Sequence, residues 1–154
     1  GLVRDPTNFG TTTVATATTR RQIYAAIFSS VSGTFTADEE INQATTGAVG
    51  KVVEFDSTNK ILYFYQTRFP DCGTDSNGNL TAFSGANAIT GQSSSASATP
   101  DTSNSTTTNG TVFSSGYSNP ELAFDSGDII YVEERSPITR ASDQTENIKL
   151  IIEF

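Results

Sequence analysis

The chain has 154 residues, a formal net charge of −8 at pH 7 and a hydrophobic fraction of only 35%. At this length one domain is the expectation, with a thin core. The sequence contains no histidine, which excludes Ser-His-Asp and Cys-His catalytic centres and imidazole-based zinc sites. The single cysteine, Cys72, cannot form a disulfide within the chain.

Neither nucleic acid nor a membrane is an expected partner. An excess of acidic side chains repels phosphate backbones. No stretch approaches the ~20 apolar residues of a membrane-spanning helix, and the start lacks a signal-peptide pattern. Methionine is absent, which suggests a fragment or a processed product. At this length we expect residues 1–154 to form a single domain.

The first third of the chain predicts short strands. Residues 1–5 are typical of a strand end, which Pro6 terminates. Residues 11–19 are rich in threonine and predict a strand or an extended linker. Residues 22–31 carry apolar side chains on both parities and predict a strand that is buried on both faces.

A β-hairpin follows. Residues 46–50 predict a turn, 51–55 a strand, 56–59 a polar turn, and 60–67 the second strand. Within the polar turn Asp56 and Asn59 can hydrogen-bond the local backbone, and Asn59 tolerates a left-handed conformation.

Residues 70–79 form a cluster of turn residues. Asp75-Ser76-Asn77-Gly78-Asn79 resembles a calcium loop, but the EF-hand pattern requires Gly at the sixth position and Glu at the twelfth. Those positions hold Leu80 and Ala86, so a plain turn built on Asp75 is favoured.

A low-complexity tract occupies residues 84–111. Of its 28 residues, 20 are Ser, Thr, Asn or Gly. Because this composition offers little apolar surface to offset the entropy of ordering, we expect a long exposed loop or arm.

The last third predicts one helical turn and two strands. Residues 119–124 carry Asn at the cap and Pro at the first helical position. A turn at 126–128 leads into a strand at 128–134. The terminal segment 147–154 is a strand in which Ile148, Leu150, Ile152 and Phe154 share one parity. A long polar connector, residues 135–146, joins the two strands.

Adjacent acidic residues occur at 38–40 and at 133–134. A carboxylate pair can hydrolyse glycosides, but that reaction needs two different ionisation environments across a cleft. Neighbours along a strand point to opposite faces, and tryptophan is absent. Solvated turn or edge charges are therefore the favoured interpretation of both groups.

Charge is distributed unevenly along the chain. Residues 1–31 have a net charge of +2, and residues 121–154 have a net charge of −5. Complementary ends could steer a second protomer or another subunit into register. Ordinary surface variation explains the same pattern, since exposed ion pairs contribute little.

The carboxyl-terminal segments resemble a known phage family. Residues 126–138 are SGDIIYVEERSPI, and residues 143–150 are DQTENIKL. They resemble the Ser-Gly-x-x-Ile-Tyr strand, Glu-x-Arg-x-Pro-Ile turn and Asp-Gln-Thr-Glu segment of the gene product eight family, the baseplate wedge subunits of T-even-like contractile-tailed phages. Residues 2–6, LVRDP, resemble more weakly the strand-then-Pro entry to that family's last region.

The resemblance implies a non-catalytic structural protein of the virion tail baseplate, assembled in the host cytoplasm. It implies contacts with other baseplate wedge proteins and a homodimer in the full subunit. It also implies that residues 1–154, a single β domain, are the carboxyl-terminal fragment of that larger subunit. No cofactor is expected. We expect the connector to be an ordered corner that either meets another subunit or only stabilises its own domain. Its candidate partner-binding residues are Glu133, Glu134, Arg135, Pro137, Arg140, Asp143, Gln144 and Glu146.

The predicted fold is mainly β, an antiparallel sandwich or meander with a long Ser/Thr-rich loop. The favoured function is architectural. The alternative is a receptor- or glycan-binding tail module that uses the arm and the aromatic residues Tyr63, Phe64 and Tyr65. At least one of these rings is expected to face the core, which weakens that alternative. An enzyme is a distant third.

Overall fold

A computed structural model describes residues 2–16, 21–66, 73–123 and 126–133. These residues form β-strands and no helix, which confirms the mainly β prediction. The strands are β1 (Leu2–Arg4), β2 (Tyr24–Ile27), β3 (Glu40–Gln43), β4 (Ala48–Asp56), β5 (Ile61–Tyr65), β6 (Ile89–Gly91), β7 (Ser97–Ala98), β8 (Thr107–Thr108), β9 (Thr111–Val112), β10 (Tyr117–Ser118) and β11 (Asp128–Tyr131).

Seven of the strands form one antiparallel sheet in the order β10-β2-β5-β4-β3-β6-β7. Strands β3, β4 and β5 form a meander in chain order. The earlier strand β2 pairs with the edge of β5 that does not face β4. Two small two-stranded sheets accompany it, β1 with β11 and β8 with β9. Strand β5 lies between β2 and β4 and therefore joins residues 24–27 to the meander.

Both faces of the central strands are buried, because their side chains alternate between two apolar clusters. On β2, Ala26 contributes to the larger cluster, while Ala25 and Ile27 contribute to the smaller one. On β5, Leu62 and Phe64 join the larger cluster. The prediction of a strand buried on both faces is thus confirmed for β2.

The β4–β5 hairpin is confirmed, with two differences in detail. The Asp56 carboxylate accepts hydrogen bonds from the backbone amides of Thr58 and Asn59, both at 3.0 Å, and caps the turn. The left-handed conformation falls on Lys60 rather than Asn59, with a φ of 55°. The preceding turn occupies residues 44–47 instead of 46–50, because β4 already begins at Ala48.

The exposed arm predicted for residues 84–111 is not what the structure shows. The tract supplies β6 and β7 to the large sheet, and Ile89 and Ala96 are fully buried. Its small side chains permit this close packing: a Cβ on Gly91 would lie 2.6 Å from the Ser94 hydroxyl. Residues 107–112 form the β8–β9 hairpin, whose Thr111 is buried.

The helical turn predicted at 119–124 is also wrong over residues 119–123. Leu122 instead forms a β-bridge with Asn8, and the amides of Glu121 and Leu122 both donate to the carbonyl oxygen of Arg21. Backbone pairing of residues 121–122 with distant segments determines the conformation here, although Asn119 and Pro120 favour the start of a helix. Phe124 lies outside the described residues.

The remaining predictions concern the turn at Asp75, the threonine-rich segment and the carboxyl-terminal residues. The turn at Asp75 is confirmed, since its carboxylate accepts from the amides of Asn77 and Asn79. Within the threonine-rich segment, Val14 bridges Thr7. Cys72, the connector from residue 134 and the predicted strand 147–154 lie outside the described residues.

Candidate protein-interaction surface

Strands β1 and β11 form a two-stranded antiparallel sheet, named here the terminal ribbon. Leu2 lies opposite Tyr131, Val3 opposite Ile129 and Arg4 opposite Asp128, with a β-bulge between Leu2 and Val3. The ribbon is not hydrogen-bonded as a strand to the seven-stranded sheet. Each of its strands therefore has only one paired side in the described part of the chain.

The terminal ribbon exposes large apolar side chains. Ile129 is 71% exposed and Leu2 is 61% exposed, and Val132 directly after β11 is 67% exposed. Val3, Ile130 and Tyr131 are each at least half exposed. Exposed apolar surface of this kind is typical of a protein contact site.

The base of the ribbon is built around Gly127. Gly127 has a φ of 87°, and a Cβ at this position would lie 2.6 Å from the carbonyl oxygen of Arg4. The Ser126 hydroxyl accepts a hydrogen bond from the amide of Thr7 at 3.0 Å, and the amide of Ala123 donates to the carbonyl of Thr7 at 2.9 Å. Only glycine permits both this backbone conformation and this approach.

Arg21 connects the segment below the ribbon to the seven-stranded sheet. Its guanidinium donates to the Ser118 hydroxyl at 2.7 Å, to the carbonyl of Asn119 at 2.8 Å, and to the carbonyl of Ile23. Burial lowers the pKa of Arg21, and the nearby Glu121 carboxylate partly opposes that shift. The sequence indicated only a basic residue at this position. That its guanidinium binds the backbone carbonyls of Ile23 and Asn119 depends on the tertiary structure.

The oppositely charged ends of the chain meet within one molecule. Arg4 and Asp128 form an exposed ion pair across the ribbon at 3.0 Å. The Glu121 carboxylate accepts a hydrogen bond from the Arg21 amide at 3.1 Å. Part of the charge complementarity is therefore used inside the chain, and the steering of another subunit stays a prediction.

Of the predicted partner-binding residues, the structure describes Glu133 alone. Glu133 is exposed and follows Val132 at the end of the ribbon. The remaining candidates lie outside the described residues: Glu134, Arg135, Pro137, Arg140, Asp143, Gln144 and Glu146. Strand β11 therefore leads straight into the predicted connector from an exposed apolar surface.

Glu39 departs from the solvated acid that the sequence predicted. It is 5% exposed, while Asp38 and Glu40 beside it are exposed. Its carboxylate accepts from the Thr36 amide at 2.7 Å, the Ser94 amide at 2.9 Å and hydroxyl at 2.8 Å, and the Ser93 amide at 3.1 Å. Burial raises the pKa of Glu39, but these hydrogen bonds outweigh it, so the pKa lies below the usual value.

Gln43 is a second buried polar side chain that sequence analysis missed. It is fully buried, and its amide nitrogen donates to the carbonyl of Asn87 at 2.8 Å and to the Tyr117 hydroxyl at 3.1 Å. Its amide oxygen accepts from the Ser84 backbone at 2.9 Å. Gln43 thus holds the start of the low-complexity tract beside β3, and Glu39 holds residues 93–94.

The aromatic run proposed for glycan binding is divided between interior and surface. Phe64 is 1% exposed and packs on Phe83 with ring centroids 4.7 Å apart. Tyr63 is half-buried, and its hydroxyl lies 3.2 Å from the Thr111 hydroxyl. Tyr65 is also half-buried. The expectation that at least one ring faces the core is confirmed.

The described residues contain few other features of a chemical site. They hold no group of three or more His, Cys, Asp and Glu side chains placed to bind a metal ion. Nor do they include a helix that is long and apolar enough to cross a membrane. A cavity of about 110 Å³ lies between Tyr24, Phe64, Phe83 and Tyr117, well below the roughly 300–1,000 Å³ of small-molecule sites. Two open surface clefts, of about 420 Å³ beside Asp101 and about 450 Å³ beside Arg21, reach that size.

Comparison with known proteins identifies a family. The family model described as "Bacteriophage T4, Gp8" matches residues 58–154, from within the β4–β5 turn to the last residue of the sequence. No curated protein and no solved structure matches the chain. Because the matched segment covers more than half of the chain and includes both β11 and the predicted connector, the chain belongs to this family of phage baseplate wedge structural proteins.

Proposed function

We propose that the chain is a non-catalytic subunit of the phage tail baseplate wedge that works by binding neighbouring wedge proteins. The observation that carries this proposal is the family match over residues 58–154. The exposed apolar surface of the terminal ribbon supports it, because such surface favours protein contacts. Membership of the family places the protein in the virion tail; assembly in the host cytoplasm is part of the proposal.

The proposed contact surface is the connector that follows the ribbon. It carries acidic and basic side chains close together in sequence, which suits complementary electrostatic recognition. The guanidinium of Arg135 can bind a partner carboxylate through two parallel hydrogen bonds. Its proposed contact residues are Glu133, Glu134, Arg135, Pro137, Arg140, Asp143, Gln144 and Glu146.

A homodimer is the second part of the proposal. The resemblance to the wedge subunit family implies it, and the charge asymmetry between residues 1–31 and 121–154 is compatible with it. Light scattering coupled to size-exclusion chromatography tests this part directly. A mass of one chain at micromolar concentration would contradict a dimer made by this chain alone.

The connector is tested by Arg135→Ala, with Lys51→Ala as the control. Lys51 is an exposed cation on β4, far along the chain from the connector. We expect Arg135→Ala to reduce co-assembly with wedge proteins while Lys51→Ala assembles normally. Unchanged assembly and unchanged melting would contradict any role for Arg135. A lower melting temperature with normal assembly would show that Arg135 stabilises its own domain and does not bind a partner.

The glycan-binding alternative is tested separately on a glycan array. Tyr63 and Tyr65 are the rings that remain partly accessible for such binding. Specific glycan binding that Tyr65→Ala abolishes would favour an adhesin over a scaffold. We expect no such binding, because the family match supports a structural role in the baseplate.

A further inference from the structure

Asn109 and Gly110 are the two loop residues of the β8–β9 hairpin. Their φ angles are 48° and 75°, positive at both positions as in a type I′ turn. Both residues are exposed, and a Cβ at Gly110 would have nothing within 4 Å. An asparagine followed by glycine is chemically labile, because the glycine carries no side chain that obstructs attack of its backbone nitrogen on the asparagine amide.

We propose that Asn109 is a site of spontaneous deamidation, and that this reaction loosens the β8–β9 hairpin from the β4–β5 turn. The backbone nitrogen of Gly110 gives up its proton to water and bonds to the side-chain Cγ of Asn109. The side-chain nitrogen takes up a proton and leaves as ammonia, so that a cyclic succinimide forms. Water then adds to either carbonyl carbon of the ring and opens it, which yields aspartate or isoaspartate. The only co-reactant consumed is water.

A second Asn-Gly pair, Asn77-Gly78, provides an internal comparison. The Gly78 amide donates a hydrogen bond to the carbonyl oxygen of Asp75 at 3.0 Å, so the nitrogen that would attack is already bound. The Asp75 carboxylate also accepts from the Asn77 amide at 2.8 Å. No described residue accepts a hydrogen bond from the Gly110 amide. The attacking nitrogen at the hairpin tip is therefore the less restrained of the two.

The turn must open before the succinimide ring can close, and the hairpin is small enough to allow this. Strands β8 and β9 have two residues each and pair only with each other. Two-stranded hairpins of this size are marginally stable. The Asn109 side chain is held by one exposed contact, a hydrogen bond from its nitrogen to the Asp56 carboxylate at 3.2 Å. Local opening of the tip therefore costs little free energy.

The product would weaken the contact that the hairpin makes with the β4–β5 turn. Asn109 now donates to Asp56, whereas a carboxylate at position 109 would face the Asp56 carboxylate with the same charge. Directly after the tip, the Thr111 hydroxyl lies 3.2 Å from the Tyr63 hydroxyl, and Phe113 is 2% exposed within the smaller apolar cluster. Loosening of the hairpin would therefore increase the access of water to that cluster.

The first test is incubation of the full chain at mildly alkaline pH, with deamidation at both pairs located by peptide mass spectrometry. The same chain unfolded in urea is the control, because the hydrogen bonds that distinguish the two pairs are then absent. We expect similar rates at Asn77 and Asn109 in urea, and about tenfold faster reaction at Asn109 than at Asn77 in the folded chain. Equal folded rates, or faster reaction at Asn77, would overturn the assignment of the site.

The second test measures the effect of the product on the hairpin. The Phe113 amide donates to the carbonyl oxygen of Thr106 at 3.0 Å, so its hydrogen exchange reports on opening of the hairpin. We expect this exchange to be several-fold faster in Asn109→Asp and unchanged in the matched control Asn77→Asp, with β5 protected in both. Unchanged exchange in Asn109→Asp would overturn the proposed loosening. Neither test involves a partner protein, so this inference and the assembly role can fail separately.

Discussion

Glu39 and Gln43 show how two single residues determine the path of a whole segment. Glu39 directly precedes β3, and Gln43 is the last residue of that strand. Both side chains bind backbone groups of the tract that begins at Ser84. Hydrogen bonds to a buried carboxylate are stronger than those between neutral groups, so Glu39 is the more costly to alter. Buried acceptors thus compensate for the apolar surface that this serine-rich tract lacks.

Replacing Glu39 by Gln is expected to lower the free energy of unfolding by about 2 kcal/mol. One carboxylate oxygen is replaced by an NH2 group, which would face the N–H and O–H donors that this oxygen now accepts from. The control is Glu40→Gln, which alters the adjacent exposed acid and should change stability by less than about 0.5 kcal/mol. Urea unfolding followed by circular dichroism measures both. Equal midpoints for the two variants would contradict the buried role of Glu39.

The pH dependence of stability provides a second check on Glu39. Because its folded pKa lies below the usual value of 4.5, ionised Glu39 stabilises the fold above that pH. The contribution is lost as the pH falls towards the lowered folded pKa. The stability difference between the wild type and Glu39→Gln should therefore narrow below about pH 4.5. Urea midpoints measured from pH 7 to pH 3 test this, and a difference that widens on acidification would contradict it.

At the scale of elements, the structure separates a sheet with long-range pairing from a peripheral ribbon. The sheet buries both faces of β2 and β5, whereas the ribbon joins the two ends of the described chain through few residues. Segments with few buried contacts open at low free-energy cost. The ribbon should therefore respond to mutation without unfolding the sheet.

Gly127→Ala tests that separation. The added methyl group would meet the Arg4 carbonyl oxygen at 2.6 Å and would sit at a φ of 87°, so β1 must shift. Gly78→Ala is the matched control, because Gly78 has a φ of 78° but nothing within 4 Å of the added Cβ. We expect faster hydrogen exchange in the ribbon for Gly127→Ala alone, with normal protection of β5. Similar ribbon exchange in both variants would contradict this account of Gly127.

The strands and turns that could be predicted from the sequence are those whose conformation depends on neighbouring residues in the chain. The β4–β5 hairpin follows from the turn chemistry of Asp56, and β2 follows from apolar residues on both parities. Strands β6 and β7 could not be predicted, because their burial depends on Glu39 and on pairing with β3. The predicted helical turn near Leu122 failed for the same reason, since its partner Asn8 is distant in sequence.

The candidate surface was predictable to a smaller extent. The strand at β11 and its turn at Gly127 followed from sequence, and so did the family through residues 126–138. Nothing in the sequence indicated that β1 would be its partner, or that Arg21 would clamp the backbone below the ribbon. These contacts join residues 124 to 129 positions apart in the ribbon, and 97 to 98 positions apart for Arg21 with Ser118 and Asn119.

At the scale of the whole molecule, the segment that matches the family does not coincide with a separable structural unit. The match begins at residue 58, but β5 pairs with β2 and β4, and β6 pairs with β3. Those three partner strands all precede the match. The seven-stranded sheet therefore requires residues on both sides of that boundary.

A truncated chain of residues 58–154 should consequently fail to fold. It would leave both edges of β5 unpaired and remove one neighbour of β6. Thermal melting by circular dichroism should show a cooperative transition for the full chain and none for the truncated chain. A cooperative transition in residues 58–154 alone would contradict the interleaved sheet.

The most direct test of the structural role is co-assembly of the full chain with the other baseplate wedge proteins, measured by size-exclusion chromatography with light scattering. We expect a complex whose mass includes this chain, and a loss of that complex when Arg135 is replaced. Elution of the chain by itself, while the remaining wedge proteins assemble without it, would contradict the account.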